Sequence, residues 1–300
     1  MCSSFRKMTL PTTEDRDPQS IGLSTRPDED VLAVILQRQV DALEATRDAL
    51  PQISAAAASL HMAADTGGKI GYAGAGSAGL MALTDCLELP GTFGFPADRM
   101  RMLYAGGAEN LLNLAGVHED DMEAGRKDFE DSGLGAEDVL IAVSASGKTP
   151  YTLAAVQAAN SAGTVTIGIA NNANTPLLHD VTHAILLETP PEIIAGSTRL
   201  GAASAQKAAL NMMSTLVALR LGHAVRGHMV NLVADNDKLR QRAQRILMDL
   251  TDCTPDAAAD ALHKADGRVK TAILMVLRGL DVDAADAALA RSDGNLRPFL

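Results

Sequence analysis

The hydrophobic positions of this chain form short continuous runs separated by stretches with helical spacing. A continuous apolar run occupies residues 139–143, which is typical of a parallel strand covered on both faces. Further strands are predicted at 69–73, around 102–104, at 164–169 and at 184–187. The intervening stretches predict helices, among them 31–43, 53–64, 119–128 and 201–221. This alternation predicts an α/β fold with a doubly wound, mostly parallel sheet of the flavodoxin-like kind.

Both ends of the chain depart from this alternation. Residues 1–27 are rich in Thr, Pro, Asp and Ser, which predicts an extended arm. From Asn231 onward the pattern is almost entirely helical, with short helices predicted at 257–265, 269–277 and 284–290. The sequence therefore predicts three parts: an N-terminal arm over 1–27, an α/β domain over 28–225 and a small helical C-terminal domain over 226–300.

The composition disfavours several classes of partner. The formal net charge is -11, and nucleic acid is not expected because its phosphates need a basic surface. Aromatic residues make up 3% of the chain and Trp is absent, so a platform for stacking bases is not expected either. A small anionic ligand remains compatible with this charge, since backbone N–H groups and helix N-termini bind anions whatever the net charge.

The cysteines and the hydropathy indicate a cytoplasmic protein. Cys2, Cys86 and Cys253 are far apart and lack CxxC spacing, so we interpret them as free thiols in a reducing compartment and expect no metal site. No 18-residue apolar span occurs, and the first 20 residues lack the apolar core of a secretory signal. We therefore expect no membrane association.

The first candidate site is a glycine-rich loop with the letters GAGSAG at residues 74–79. It follows a predicted strand and precedes a predicted helix through Leu83, the context in which a GxGxxG turn binds a dinucleotide. The acidic residue expected at the end of the next strand is not clearly placed, so an NAD-dependent dehydrogenase is only one alternative. A tight turn that binds no ligand is another, because close packing of a strand on a helix also requires glycine.

The second candidate site is the segment SASGKTP at residues 144–150, between a predicted strand and a helix beginning near Tyr151. It contains the GKT of a P-loop, but Ala142 stands where a P-loop needs glycine, so we exclude nucleoside triphosphate binding. The hydroxyls and backbone N–H groups that remain ahead of a helix suit a phosphate monoester, although ordinary capping by Ser or Thr is the alternative. Two such loops on neighbouring strands favour a ligand in the crevice between them.

Both loops resemble those of sugar isomerase (SIS) domains, which bind phosphosugars, and the wider pattern resembles the N-acetylmuramic acid 6-phosphate etherases of bacteria. The likeness extends over nearly the whole chain, and the combination of segments is more specific than any single motif. The matching segments are TE at 13–14 with DP at 17–18, DCLELPGTFG at 85–94, AGG at 105–107 with ED at 119–120, GSTR at 196–199, AQK at 205–207, and KTAI at 270–273 with MVL at 275–277.

The resemblance implies a carbon–oxygen lyase. Members of this family cleave the D-lactyl ether of N-acetylmuramic acid 6-phosphate by elimination and then hydration, giving N-acetylglucosamine 6-phosphate and D-lactate in the recycling of cell-wall sugars. It also implies that no metal or organic cofactor is needed, and that the enzyme is a homodimer with its sites near the subunit interface. The matching positions give Glu88 as the acid at the ether oxygen and Glu119 as the base at C2.

By the same resemblance, the phosphosugar is expected to contact both loops and the region around the start of the helix at 201–221. The expected binding residues are Gly76, Ser77, Ser144, Ser146, Gly147, Thr149, Ser197, Arg199 and Lys207, and a surface cation without a ligand is the alternative for Arg199 and Lys207. The chain departs from the family in the first loop, where Ser77, Ala78 and Leu80 stand in place of Thr, Ser and Arg. It also departs at 85–89, where DCLEL replaces DASEC, and at 200–204, where LGAAS replaces MKAGT and a lysine is lost.

Two carboxyl groups suit this chemistry because one removes a proton while the other donates one. Glu88 lies between Leu87 and Leu89, where burial would raise its pKa, although a surface position is the usual alternative for a glutamate. A second function stays open, which is a non-catalytic SIS-domain regulator that senses a phosphosugar. The presence of both Glu88 and Glu119 favours the enzyme, since carboxyl groups positioned for acid–base work are needed only for catalysis.

Overall fold

The chain folds as a parallel sheet covered by helices and followed by a helical C-terminal region, in a computed structural model that describes residues 11–234 and 236–300. The elements of the first part are α1 (Asp28–Glu44), α2 (Leu50–Asp65), β1 (Ile70–Gly74), α3 (Gly76–Phe93), β2 (Met100–Tyr104), α4 (Met122–Ser132), β3 (Val139–Val143), α5 (Pro150–Ser161), β4 (Val165–Ala170), α6 (Pro176–His179), β5 (His183–Leu186) and α7 (Gly201–Arg220). The second part contains β6 (Ala224–Val225), β7 (His228–Met229), α8 (Asp237–Thr251), α9 (Pro255–Lys264), α10 (Val269–Arg278) and α11 (Val282–Arg291).

The five-stranded sheet has the order β2-β1-β3-β4-β5, and its neighbouring strands are all parallel. Every residue of β3 is buried, as its continuous apolar run predicts. The chain winds outward in opposite directions from the β1–β3 pair, which makes this pair the switch point of a flavodoxin-like sheet. Gly74 at the end of β1 pairs with Val143 at the end of β3, so the loops after them lie side by side. The predicted doubly wound α/β fold is confirmed.

Alternate residues of each strand face two different cores. Tyr72 on β1 is buried in a cluster with side chains of α2, α3 and α7, whereas its neighbour Ala73 is buried in a cluster with side chains of α4 and α5. On the first side, α7 packs against α1, α2 and α3. This central helix therefore holds Lys207 in a fixed relation to α3.

The C-terminal helices have a hydrophobic core of their own. Val225 on β6 is buried in one cluster with side chains of α8 to α11, including Leu247 and Ile273. The three predicted short helices correspond to α9, α10 and α11, and a further helix, α8, precedes them. The bounds 28–225 and 226–300 for the two domains stay predictions. Among the described residues, no helix is long and apolar enough to cross a membrane.

The described part of the N-terminal segment folds against the α/β part in short 3-10 turns and is not an extended arm. Asp17 is almost completely buried, and its Oδ2 lies 2.6 Å from Nε of Arg38 on α1. Its Oδ1 accepts a hydrogen bond from the backbone N–H of Gln19 at 2.7 Å. This ion pair fixes the segment to α1. Residues 1–10 of the predicted arm, including Cys2, lie outside the described residues.

Two elements near the candidate sites differ from the prediction. The helix after the first loop continues to Phe93, with Pro90 at the start of its last turn, where the proline removes one helical hydrogen bond. The helix predicted over 119–128 begins only at Met122, because Asp121 caps it by accepting from the backbone N–H of Ala124 at 2.9 Å. Glu119 consequently lies in a separate 3-10 turn (Gly116–Asp120).

Candidate active site

Two loops and two helix N-termini meet at the switch point of the sheet. α3 begins at Gly76, directly after β1, and α5 begins at Pro150, shortly after β3. No side chain caps either helix, so the N–H groups of their first turns are available to an anion. We call this region the loop edge, which comprises residues 74–79, residues 144–149 and Glu119.

The first loop requires glycine because strand and helix backbones meet there. A Cβ on Gly79 would lie 2.8 Å from the backbone carbon of Gly74. Gly76 has a φ of +52°, and a Cβ there would lie 2.7 Å from Oε1 of Glu119. The Glu119 carboxylate therefore lies against the N-terminus of α3. The negative charge of this carboxylate would repel the pyrophosphate of a dinucleotide, because both would lie at the same helix end.

Glu119 is half-buried, and its surroundings favour the protonated form. Burial raises the pKa of this carboxyl above its ordinary value of 4.5, and the charge of the adjacent Asp120 raises it further. Tyr104 at the end of β2 is a neighbour whose pKa is raised by burial and then by the charge of Glu119. A raised carboxyl pKa lies closer to neutral pH, which suits a general acid or base.

A network of hydroxyls shapes the second loop. Ser144 is buried, and its hydroxyl hydrogen-bonds the hydroxyl of Thr149 at 2.8 Å and accepts from the backbone N–H of Gly147 at 3.1 Å. Ser146 Oγ lies 3.4 Å from Ser144 Oγ. Gly147 has a φ of +64°, and a Cβ there would lie 2.3 Å from Oγ1 of Thr175, so only glycine fits. The structure thus brings together the four binding residues predicted in this loop.

The N-terminal segment lies beside the second loop. Asn172, which follows β4, donates hydrogen bonds to the carbonyl of Ala145 at 3.0 Å and to the hydroxyl of Thr13 at 2.9 Å. The backbone N–H of Gly196 donates to the carbonyl of Thr13 at 2.9 Å. Sequence reasoning missed Asn172, for which the only signal was a pair of Asn residues after an apolar strand.

Ser197 and Arg199 lie in the loop before α7, next to this contact. Glu192 in the same loop caps α7, because its carboxylate accepts from the backbone N–H groups of Gly201 at 2.9 Å and Ala202 at 2.8 Å. Burial raises the pKa of Glu192, although these two bonds act in the opposite direction. Ser197 is half-buried and Arg199 is exposed. The structure therefore brings both residues to the side of the loop edge that Thr13 occupies.

Glu88 and Lys207 lie elsewhere, in a cavity between α3 and α7 with a volume of ≈ 410 Å³. We call it the α3–α7 cavity. Glu88 is exposed, so the expectation that it is buried is wrong. Consecutive positions of a helix point about 100° apart, and Leu89 faces the core while Glu88 and Leu87 face outward.

A single chain does not bring Glu88 and Glu119 together. The Glu119 carboxylate lies at Gly76, where α3 begins, and Glu88 is twelve residues further along the same helix. At the α-helical rise, about 18 Å separates the Cα atoms of Gly76 and Glu88. The acid and base of the expected reaction act on C2 and on the oxygen of C3, which are only two bonds apart. The two carboxyl groups of one chain therefore cannot share one substrate in this way.

Comparisons with known proteins support the SIS-type assignment. Two models of the SIS domain match residues 36–171 and 122–221. A solved structure of a phosphoheptose isomerase from Francisella tularensis superimposes with a TM-score of 0.50 and 20% identity, covering 65% of this chain and 100% of that one. At this identity the likeness concerns the fold alone.

Curated relatives match over almost the full length. The chain is 40% identical to the N-acetylmuramic acid 6-phosphate etherase of Deinococcus radiodurans, over 96% of this chain and 94% of that protein. It is 38% identical to the protein of the same name from Aeromonas hydrophila, over 94% and 95% of the two chains. The equally named Streptomyces coelicolor protein is also 38% identical, over 95% and 92%.

Proposed function

The chain belongs to the N-acetylmuramic acid 6-phosphate etherase family, and on this premise we propose that it cleaves the D-lactyl ether of N-acetylmuramic acid 6-phosphate to N-acetylglucosamine 6-phosphate and D-lactate. The names of these relatives favour an enzyme over the non-catalytic phosphosugar sensor. The observation that carries the proposal is the half-buried Glu119 carboxylate, which lies at the N-terminus of α3 beside a loop of hydroxyls.

The second loop is the proposed binding site for the phosphate. Ser144, Ser146 and Thr149 provide hydroxyls there, and α5 directs its N-terminus to the same point. The first loop is less suited to a phosphate because the Glu119 carboxylate lies against it. The sugar would then extend from the second loop towards Glu119.

The proposed reaction needs an acid and a base. In the open-chain sugar the aldehyde acidifies the C2–H bond, and Glu119 takes that proton. The electron pair of this bond forms a C2–C3 double bond while the C3–oxygen bond breaks, and Glu88 gives its proton to the departing oxygen. Water then adds its oxygen to C3, and C2 regains a proton.

The proposed active form is a homodimer in which Glu88 of one protomer faces the loop edge of the other. Two observations support it. Glu88 and Glu119 are too far apart in one chain, and Leu87 beside Glu88 is 67% exposed, as expected of an apolar side chain that a subunit contact covers. The cytoplasmic location stays a prediction.

The first test is the release of D-lactate from N-acetylmuramic acid 6-phosphate by purified protein. Wild-type protein is expected to release it, and Glu88→Gln and Glu119→Gln are each expected to lower kcat/KM by at least about 100-fold. Glu137→Gln removes an exposed carboxylate remote from both regions and should have no effect. Absence of release by folded wild-type protein would contradict the proposed function.

Subunit complementation tests the shared site. Neither the Glu88→Gln nor the Glu119→Gln protein should be active alone. After mixing, unfolding and refolding together, a mixed dimer contains one site with both carboxylates intact, so about a quarter of the wild-type activity is expected. If each chain formed its own site, no mixed dimer would contain an intact one, and the mixture would stay inactive.

A further inference from the structure

We propose that the α3–α7 cavity is the subsite for the lactyl group of the substrate, and that Lys207 binds the lactyl carboxylate. This inference rests on the proposed function and deepens it, because it names the residue that would distinguish a lactyl ether from other amino sugar phosphates. The cavity volume of ≈ 410 Å³ is within the range of roughly 300–1,000 Å³ that small-molecule sites occupy.

Lys207 is the cation of this cavity, and no residue in the described part of the chain forms an ion pair with it. It projects from the second turn of α7, and its side chain is exposed. None of the ion pairs among the described residues includes it, although Glu88 and Asp85 line the same cavity. An unpaired ammonium group in a concave site is suited to an anionic substituent.

A buried carboxylate fixes the floor of the cavity. Asp85 is 3% exposed and accepts three hydrogen bonds: from Tyr72 Oη at 2.7 Å, from Asn211 Nδ2 at 2.8 Å and from Ser214 Oγ at 2.9 Å. These bonds join β1, α3 and α7 at one point. Because its oxygens already have these partners, Asp85 competes less for Lys207, which remains available to a ligand.

The rest of the cavity matches the other parts of a lactyl group. Leu89 and Phe93 provide apolar surface for its methyl group, and Glu88 faces the same space. Glu88 is the proposed acid at the ether oxygen, which is two bonds from the lactyl carboxyl carbon. With the carboxylate on Lys207, the ether oxygen would therefore lie on the side of Glu88.

In the proposed reaction Glu88 gives its proton to the ether oxygen as the C3–oxygen bond breaks. D-lactate then leaves with its hydroxyl formed and its carboxylate still on Lys207.

The test compares ligands with and without the lactyl group. Lys207→Gln is expected to raise KM for N-acetylmuramic acid 6-phosphate at least roughly tenfold, because a charge-assisted contact is lost. The inhibition constant of N-acetylglucosamine 6-phosphate, which lacks the lactyl group, should not change, whereas inhibition by D-lactate should disappear. Lys207→Arg should recover most of the binding. Lys264→Gln makes the same charge change on α9 and should leave all three values unaltered.

Two outcomes would overturn the subsite. An equal loss of affinity for both sugar phosphates would assign Lys207 to the shared part of the ligands, and no loss for either would remove Lys207 from the site. These outcomes differ from failure of the proposed function, in which wild-type protein releases no lactate. In that case titration of D-lactate into wild-type and Lys207→Gln protein decides the subsite, since equal binding or no binding to wild-type protein would contradict it.

Discussion

The loop edge and the α3–α7 cavity are built by different means. At the loop edge, backbone atoms form the surface: two helix N-termini, glycines packed between strand and helix, and hydroxyls that hold the loop around Ser144. In the cavity, side chains of two packed helices form the surface, with exposed Glu88 and Lys207 above buried Asp85.

This difference indicates how each region responds to change. A surface made of backbone atoms tolerates few substitutions, because each added atom also disturbs the packing that shapes it. A surface made of exposed side chains can change its specificity with little loss of stability. We therefore expect substitutions at the loop edge to lower both stability and phosphosugar affinity. Substitutions in the cavity should mainly change the discrimination between ligands.

The largest contrast is expected between two glycines of the same helix. An alanine Cβ at Gly79 would lie 2.8 Å from the backbone carbon of Gly74, so Gly79→Ala should lower the free energy of unfolding by about 1–3 kcal/mol. Gly91, near the cavity, has nothing within 4 Å of such a Cβ, and Gly91→Ala should raise that free energy by about 0.5–1 kcal/mol. Urea denaturation measures both, and equal effects would remove the contrast between the regions.

A smaller effect is expected when the hydroxyl network of the second loop is cut. Ser144→Ala leaves the N–H of Gly147 and the hydroxyl of Thr149 without this partner, so the affinity for N-acetylglucosamine 6-phosphate should fall about tenfold. Ser161→Ala is the matched control, since its hydroxyl only donates to the carbonyl of Gln157 in α5. Calorimetric titration gives both dissociation constants. If Lys207→Gln lowered the affinity for N-acetylglucosamine 6-phosphate as much as Ser144→Ala does, the division between the regions would be contradicted.

The smallest effect is expected in the pH dependence. If Glu119 is the base, the acidic limb of kcat/KM should lie above pH 4.5, because burial and the charge of Asp120 raise its pKa. Asp120→Asn removes that charge and should move the limb to lower pH, whereas Glu137→Gln should not. If the acidic limb of kcat/KM stays at the same pH in Asp120→Asn, that limb reports a group other than Glu119.

The same pKa determines the sign of the effect on stability. Because the pKa of Glu119 is raised in the folded chain, its contribution to stability is fully present below the ordinary value of 4.5 and is lost as pH rises through the raised pKa. Glu119→Gln should therefore gain stability relative to wild-type protein as the pH rises over that interval. Chemical denaturation at several pH values measures it.

The sheet and its loops could be predicted because their signals are local. The apolar run of β3 and the glycines after β1 each lie within a few residues, and a strand covered on both faces has few alternatives to such a run. The environment of Glu88 could not be predicted in the same way. Its apolar neighbours Leu87 and Leu89 suggested burial, but on a helix that continues to Phe93 only Leu89 faces the core, while Leu87 and Glu88 are exposed.

Asp85 is the clearest case of a residue that only tertiary structure explains. An aspartate in a helix is ordinarily a surface residue. Its partners Tyr72, Asn211 and Ser214 lie 13, 126 and 129 residues away in sequence, so no local pattern connects them. Packing of α7 against α3, which itself lies on the sheet, brings them into contact.

The sequence by itself determined the α/β alternation and the two loops at the switch point, because each depends on a short run of neighbouring residues, and the family resemblance supplied the pair Glu88 and Glu119. Tertiary structure decided where those residues lie. It brought the Glu119 carboxylate against Gly76, left Glu88 exposed far along α3, and joined Glu88 and Lys207 in one cavity. The physical reason is that distances between segments follow from how helices pack on the sheet, which depends on contacts across the whole chain.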